Sequence, residues 1–590
     1  MIFTPDRSVR LGVAAFAGLI GTALSAAPPE AAKHIAEAVE ALDKGDGIAA
    51  EADLRRAINA GADRTEVAAA MGDAFIRQGA PDKAREWLAS GHFAPGQESY
   101  GWRMLGRLER AAGNLPAAGQ AYDRALKVTP NDGRLWVDIG RLRYAGGEQL
   151  QAVEAADHAL RLDPGNPRTL EFRGQLIRDQ YGLTAALPWF EAGLKHKPDD
   201  LALLGEYAAT LGELGRAKDM LTATRKMLGI DPGNARALYL QAVLAARAGK
   251  MDLARRLLGR TGDRIAGVPA AMLLRGALEL EAGNPNLAID VLDRLVRMQP
   301  ANGPARQLLA RAAAVAGDRA QLFAAFPDES ARSPYLLTLQ ARSYEDQGRR
   351  DQAAPLLVRA VSELGRLPSP IGERGDLANL SADWAEAPGR IGAGTPYVRK
   401  LLGSGKLALA GEIAERLRTA NPGSADAQAI AGDVQLLQHN PGGAIERYRT
   451  AARVRVTSDL VGRMALALDG VGQAGEGDRL VDAQLAASPT NRHLNRLAAQ
   501  RAARRGDWAR ARALLEYLHP AMPRDPGLLG ELADARLRTG DRAGAEQAGA
   551  AAYALRRGSR LTTRGYAAAA VSPDLSAALN AKAERFAQDR

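Results

Sequence analysis

Cysteine is absent from the 590 residues. Disulfides, thiolate nucleophiles, iron–sulfur clusters, Cys-type structural zinc and a lipid-anchoring cysteine are therefore excluded. Aromatic residues are only 5% of the chain, too few for the faces of a sandwich or barrel. Apolar residues still make up 46%. They are chiefly Ala and Leu, the composition of close-packed helices. A strong charge of one sign is also missing, since 78 basic and 68 acidic residues leave a net +10. That excess permits anionic partners such as nucleic acid, acidic polysaccharide or a lipid surface. No basic block is dense enough to choose among them.

Long hydrophobic runs are scarce, and the one that stands out is at the N-terminus. Arg7 and Arg10 precede an apolar or small stretch from Leu11 to Leu24, and Ser25, Ala26 and Ala27 lead into Pro28 and Pro29. This is the order of a secretory signal peptide, here residues 1–27. The stretch Leu11–Leu24 as a helix reaches about 21 Å, short of a ~30 Å hydrocarbon core. The alternative is an uncleaved inner-membrane anchor through residues 11–24. The expectation is an exported, periplasmic chain with no membrane span after cleavage.

Small residues and prolines recur at a fixed period. Gly106, Gly140 and Gly174 lie 34 residues apart, and Ala208, Ala242 and Gly276 continue the series. Gly113, Gly147, Gly215, Gly249 and Gly283 keep the same frame, as do Pro130, Pro164, Pro198, Pro232 and Pro300. Two helices approach closely only where both present small side chains, so Gly106 is expected to face Ala118, with Leu105 and Tyr122 at the edges. Gly113 ends the first helix in a left-handed conformation. Pro130 stops the second, and Asn131–Asp132 cap the next.

With Leu105, Gly106, Ala118, Tyr122, Ala125 and Pro130 in one copy, the sequence resembles the tetratricopeptide repeat, a 34-residue helix–turn–helix unit. Weaker copies extend to both ends, and about 13 to 15 in all are expected. The resemblance implies an all-α, right-handed solenoid of stacked hairpins. The array is expected over 28–363 and again over 401–571, with a lone capping helix at 572–590. Between them, 364–400 is rich in Gly and Pro, with DLANLSADWAEA its best helix. This segment reads as a diverged repeat, a joint between two halves or an insert into the groove.

Catalytic chemistry has no motif to rest on. His34, His92, His158, His196, His439, His493 and His519 are scattered, none with another three or four residues away. No zincin, nucleophile-elbow, Walker or EF-hand pattern occurs. Carboxylates on one helical face, such as Glu37 and Glu40, are ordinary in a solvated helix. No enzyme activity, catalytic residue, metal or cofactor is expected. The densest cation cluster is Arg504, Arg505, Arg510 and Arg512 around Trp508, a candidate anion contact or simply a solvated face.

In the family resembled, the first helix of each hairpin lines a groove that takes peptide segments or another protein's helix. Here those positions include Arg103, Arg107, Asp138, Arg141, Glu206 and Arg275. The resemblance implies a scaffold for envelope proteins or extended peptide segments, akin to repeat components of bacterial exopolysaccharide synthesis and export. The alternative is an acidic polysaccharide bound along an Arg-lined groove. Nucleic acid is disfavoured by export.

Overall fold

The computed structural model describes residues 28–300, 302–324, 333–364 and 376–588. The expected signal segment 1–27 lies outside them. The described residues form thirty-three α-helices and no β-strand. Thirty-two of the helices pair as sixteen antiparallel hairpins, numbered 1 to 16 here, and Leu377–Glu386 is extra. That exceeds the 13 to 15 expected. One reason is that Pro573–Gln588 does not stand alone but packs along Arg560–Ala569 as hairpin 16.

The chain divides into two compact units, Met1–Pro130 and Asn131–Arg590. The first holds hairpins 1 to 3, ending with Glu98–Ala111 and Leu115–Val128. Its core runs from Ala31 to Leu108. The second holds hairpins 4 to 16 in all-α solenoid packing, with successive hairpins stacked from 4 to 10 and again from 11 to 16.

The small first-helix residues seat large second-helix side chains. A Cβ on Gly106 would collide with the Tyr122 ring. On Gly174 it would lie 2.5 Å from Phe190, on Gly276 2.5 Å from Leu292, and on Gly432 2.5 Å from Tyr448. Each partner lies sixteen positions after its glycine. Tyr122 is therefore the plug of the hairpin, 1% exposed, rather than an edge residue. Ala118 is buried beside it. The missing side chain on Gly106 is what makes room for a ring.

Helix ends follow the local chemistry. Gly113 has φ +80° and closes its helix with bonds from Gly113 N to Arg110 O and Asn114 N to Glu109 O, the left-handed stop that glycine adopts without steric cost. Asp132, Asn166, Asp200, Asn234 and Asn302 each accept a backbone N–H of the following first helix. Within 364–400, the described part is helical. Leu377–Glu386 and Ile391–Gly403 pack through Trp384, Tyr397, Val398 and Leu401 into one apolar cluster.

The second unit also touches itself far along the chain. The turns inside hairpins 4, 5 and 6 meet the loops that enter hairpins 12, 13 and 14. Leu150 N donates to Gly423 O at 3.2 Å and Ala425 N to Gln149 Oε1 at 3.0 Å. Val456 N donates to Asp179 O at 2.8 Å, and the Gln180 amide to Arg453 O. Thr184 Oγ1 donates to Ala487 O at 3.1 Å, and the Thr490 hydroxyl to Glu213 O. The turns of hairpins 4, 5 and 6 thus bond the loops eight hairpins later, and Thr184 of hairpin 5 also reaches Ala487 at the end of hairpin 13. The two edges keep register because both advance by one repeat per contact. Gly182 allows the approach, since a Cβ there would lie 2.8 Å from that of Ala487.

Candidate functional site: a charged ladder and a seam cavity

First helices of successive hairpins are tied by ion pairs, some half-buried and some fully buried. In the second unit, Arg141 on Gly133–Ala145 bonds Glu171 at 3.2 Å and lies 5.3 Å from the centre of the Phe172 ring. Glu206 on Leu201–Glu213 is clamped by Arg178 at 3.0 Å and Arg236 at 2.6 Å. Burial alone would push its carboxyl up, but Arg236 and Arg178 outweigh it and hold the group below the usual carboxylate range. Arg463 continues the pattern to Asp433 at 2.6 Å, with both side chains buried. Burial raises the Asp433 pKa against the pull of Arg463.

The six groove candidates do not form one cluster. Arg103 and Arg107 belong to the first unit, where Arg103 lies 5.6 Å from the centre of the Tyr100 ring. Asp138 is half-buried, Arg141 and Glu206 are ladder members, and Arg275 is exposed on Pro269–Glu281. Sequence reasoning missed Glu171, Arg178 and Arg236. Their signal is opposite charges about one repeat apart, since Arg141–Glu171, Glu206–Arg236 and Asp433–Arg463 are each separated by 30 positions.

The arginines near Trp508 are paired with carboxylates. Arg504 lies 3.4 Å from Asp469, and Arg505 pairs with Asp478. Arg510 bonds Asp482 at 2.6 Å, and Arg512 bonds Glu516 and Asp541 at 3.0 and 3.1 Å. The cation over the Trp508 ring is Arg538, at 5.4 Å. An anion at this cluster must therefore compete with carboxylates already in place. Trp508 and Arg504 help to line a cavity of about 460 Å³ with Gln500, Glu531 and Asp534.

One group of possible metal ligands occurs among the described residues. His34, Glu37 and Asp53 place ligand atoms within 4.8 Å of one another. The His34 ring is 2.9 Å from Glu37, while Arg56 pairs with Asp53 and Lys33 lies 3.8 Å from Glu37. Two cations therefore already share the carboxylates. Glu40 bonds Lys44 at 2.6 Å instead.

A larger cavity, about 560 Å³, opens at the seam between hairpins 5–7 and the loops entering hairpins 13 and 14. Arg178, Asp179, Glu213, Arg247, Arg455 and Gln484 supply its polar groups, and Leu183, Val456 and Leu494 its apolar patches. No described helix is long and apolar enough to cross a membrane.

A family profile described as tetratricopeptide repeat matches residues 103–167 and 203–266. No curated protein matches the chain. Among solved structures, the chain is similar to PilW, a widely conserved type IV pilus biogenesis factor. Identity is 16%, covering 36% of this chain and 99% of that one, with TM-score 0.30. It is similar to a tetratricopeptide repeat protein from Parabacteroides merdae at 20% identity, 39% and 93% coverage, and TM-score 0.28. A chain of the Naa15/Naa10 complex bound to HypK aligns over 94% of this chain and 99% of its own, at 15% identity and TM-score 0.31. Residues 103–167 and 203–266 therefore match the tetratricopeptide repeat, and the hairpins on either side of them share its helix–turn–helix form.

Proposed function

We propose that the protein is an exported scaffold that holds proteins of the bacterial cell envelope together and serves exopolysaccharide synthesis or export through protein contacts. The observation that carries the scaffold part is the first-helix ladder of Arg141–Glu171 and Arg178–Glu206–Arg236. It fixes long polar side chains on a stacked surface before any partner arrives, which lowers the ordering cost of binding. Export is supported by Arg7, Arg10 and the apolar stretch Leu11–Leu24. Arginines that are already paired argue against a polyanionic glycan as the main occupant of this face.

The test is crosslinking in living cells of the source bacterium, then fractionation and mass spectrometry. The expected result is a shortened mature chain recovered with one or two stoichiometric envelope proteins. A full-length cytoplasmic chain would overturn export. An exported chain without a specific protein partner would overturn the scaffold.

A further inference from the structure

Hairpin 1, built from Pro29–Lys44 and Gly47–Asn59, departs from the later hairpins at two places. In the 34-residue frame His34 falls in register with Trp102, Trp136 and Leu170, and Asp53 with Ala121, Ala155 and Ala223. From hairpin 2 to hairpin 8 every residue at either place is apolar. In hairpin 1 an imidazole and a carboxylate stand there instead. Both are well shielded, with side-chain exposures of 15% for His34 and 12% for Asp53. Polar groups in apolar places are unfavourable unless something joins them.

The fold brings a third ligand to the same spot. Glu37 follows His34 by three positions and so shares its face of the first helix, while Asp53 reaches across from the second. His34 Nδ1 lies 2.9 Å from Glu37 Oε2, and one ligand atom from each of the three residues falls within 4.8 Å of the others. One nitrogen and two oxygens suit a zinc-class ion, with bonds of about 2.0–2.2 Å and water in the fourth position. Ligand atoms around such an ion stand about 3.4 Å apart, inside the span the triad already has. The competing cations sit on exposed stems. Arg56, which pairs with Asp53, is 59% exposed, and Lys33, 3.8 Å from Glu37, is 70% exposed. Exposed pairs of this kind contribute little, and both heads can turn into water.

We propose that His34, Glu37 and Asp53 bind one divalent ion of the zinc class, which staples the two helices of hairpin 1 together. Mg²⁺ and Ca²⁺ take oxygen ligands, so the imidazole selects against them. The site is separate from the first-helix ladder and from the seam, and it does not depend on which partner the scaffold holds.

The test titrates Zn²⁺ alone into the full chain in a non-chelating buffer, by isothermal titration calorimetry, and follows hydrogen exchange across Pro29–Lys44 and Gly47–Asn59. The expected result is one equivalent bound, with protection rising in both helices and Mg²⁺ producing neither effect. His34→Ala and Asp53→Asn should each weaken Zn²⁺ binding by about ten-fold or more. Arg56→Ala removes the competing cation and should tighten it about two- to five-fold. Circular dichroism checks that the variants fold, and the exchange result on the parent chain stands without them. Absence of binding, or protection that does not rise in hairpin 1, would overturn the site. Binding that the His34 and Asp53 variants leave unchanged would overturn it too, as an adventitious ion only.

Discussion

The side chain of Gln149 accepts the backbone N–H of Ala425 at 3.0 Å, although 276 residues separate them. Both are buried, at 5% exposure. Around them Leu150 and Val153 pack onto a core that includes Ala425, Tyr448 and Val454. This end of the seam is apolar, whereas the Gln180, Thr184 and Thr490 bonds are exposed. Opening should therefore begin at hairpins 6 and 14. Hydrogen exchange is predicted to be faster at Val456 than at Ala425, and equal protection at both would contradict this order.

Gly106→Ala should destabilise hairpin 3 by about 1–3 kcal/mol, because the new methyl group meets the Tyr122 ring in a filled core. Adding Tyr122→Ala removes the collision, so the double variant should lose less than the sum of the single losses. Exchange protection of Leu115–Val128 reads both effects. Additive losses would mean that the ring and the glycine do not oppose one another.

The buried pair Asp433–Arg463 tests whether the ladder has a core equivalent. Asp433 is 0% exposed and also accepts the Tyr448 hydroxyl at 2.9 Å. Asp433→Ala should cost about 3–5 kcal/mol, since it leaves Arg463 buried without its counter-charge. Replacing both, as Asp433→Leu with Arg463→Met, should recover most of that loss. Thermal unfolding of the single and double variants gives the comparison.

In the first unit, Asp73 bonds Arg77 at 2.9 Å and accepts the Tyr100 hydroxyl at 2.7 Å. Burial pushes its carboxyl up, yet Arg77 and Tyr100 hold it below the ordinary value. A lowered pKa contributes stability above the unfolded value that is lost as pH falls through the folded one. Asp73→Asn should therefore reduce protection of Arg64–Gln78 at pH 7 by about 1.5–3 kcal/mol. The difference from the parent should shrink below about pH 4. A difference that stays constant with pH would show that the charge does not matter.

Much of the fold was legible because each hairpin needs the same few small residues at the same spacing. Gly106, Gly113 and Pro130 carry shape in their own chemistry, and so do their copies. The plug role of Tyr122 was not legible, because periodicity places a residue on a face without saying how deep it sits. The seam was hidden for another reason. Its bonds from Val456 to Asp179 and from Leu150 to Gly423 use main-chain atoms at both ends, which leave no residue-type signature. Gly182 also falls one position out of the frame set by Gly147 and Gly215, so the period does not single it out. Ladder partners such as Arg236 were visible only to a search for opposite charges 30 positions apart.

The seam can be tested directly because the chain has no cysteine of its own. Thr184→Cys and Ala487→Cys place two thiols where the Thr184 hydroxyl now lies 3.1 Å from Ala487 O. In the full-length protein under mild oxidant, the account predicts rapid crosslinking within one chain, independent of protein concentration and complete before unfolding. Thiols that stay reduced, or that pair only between chains, would contradict closure of the solenoid on itself.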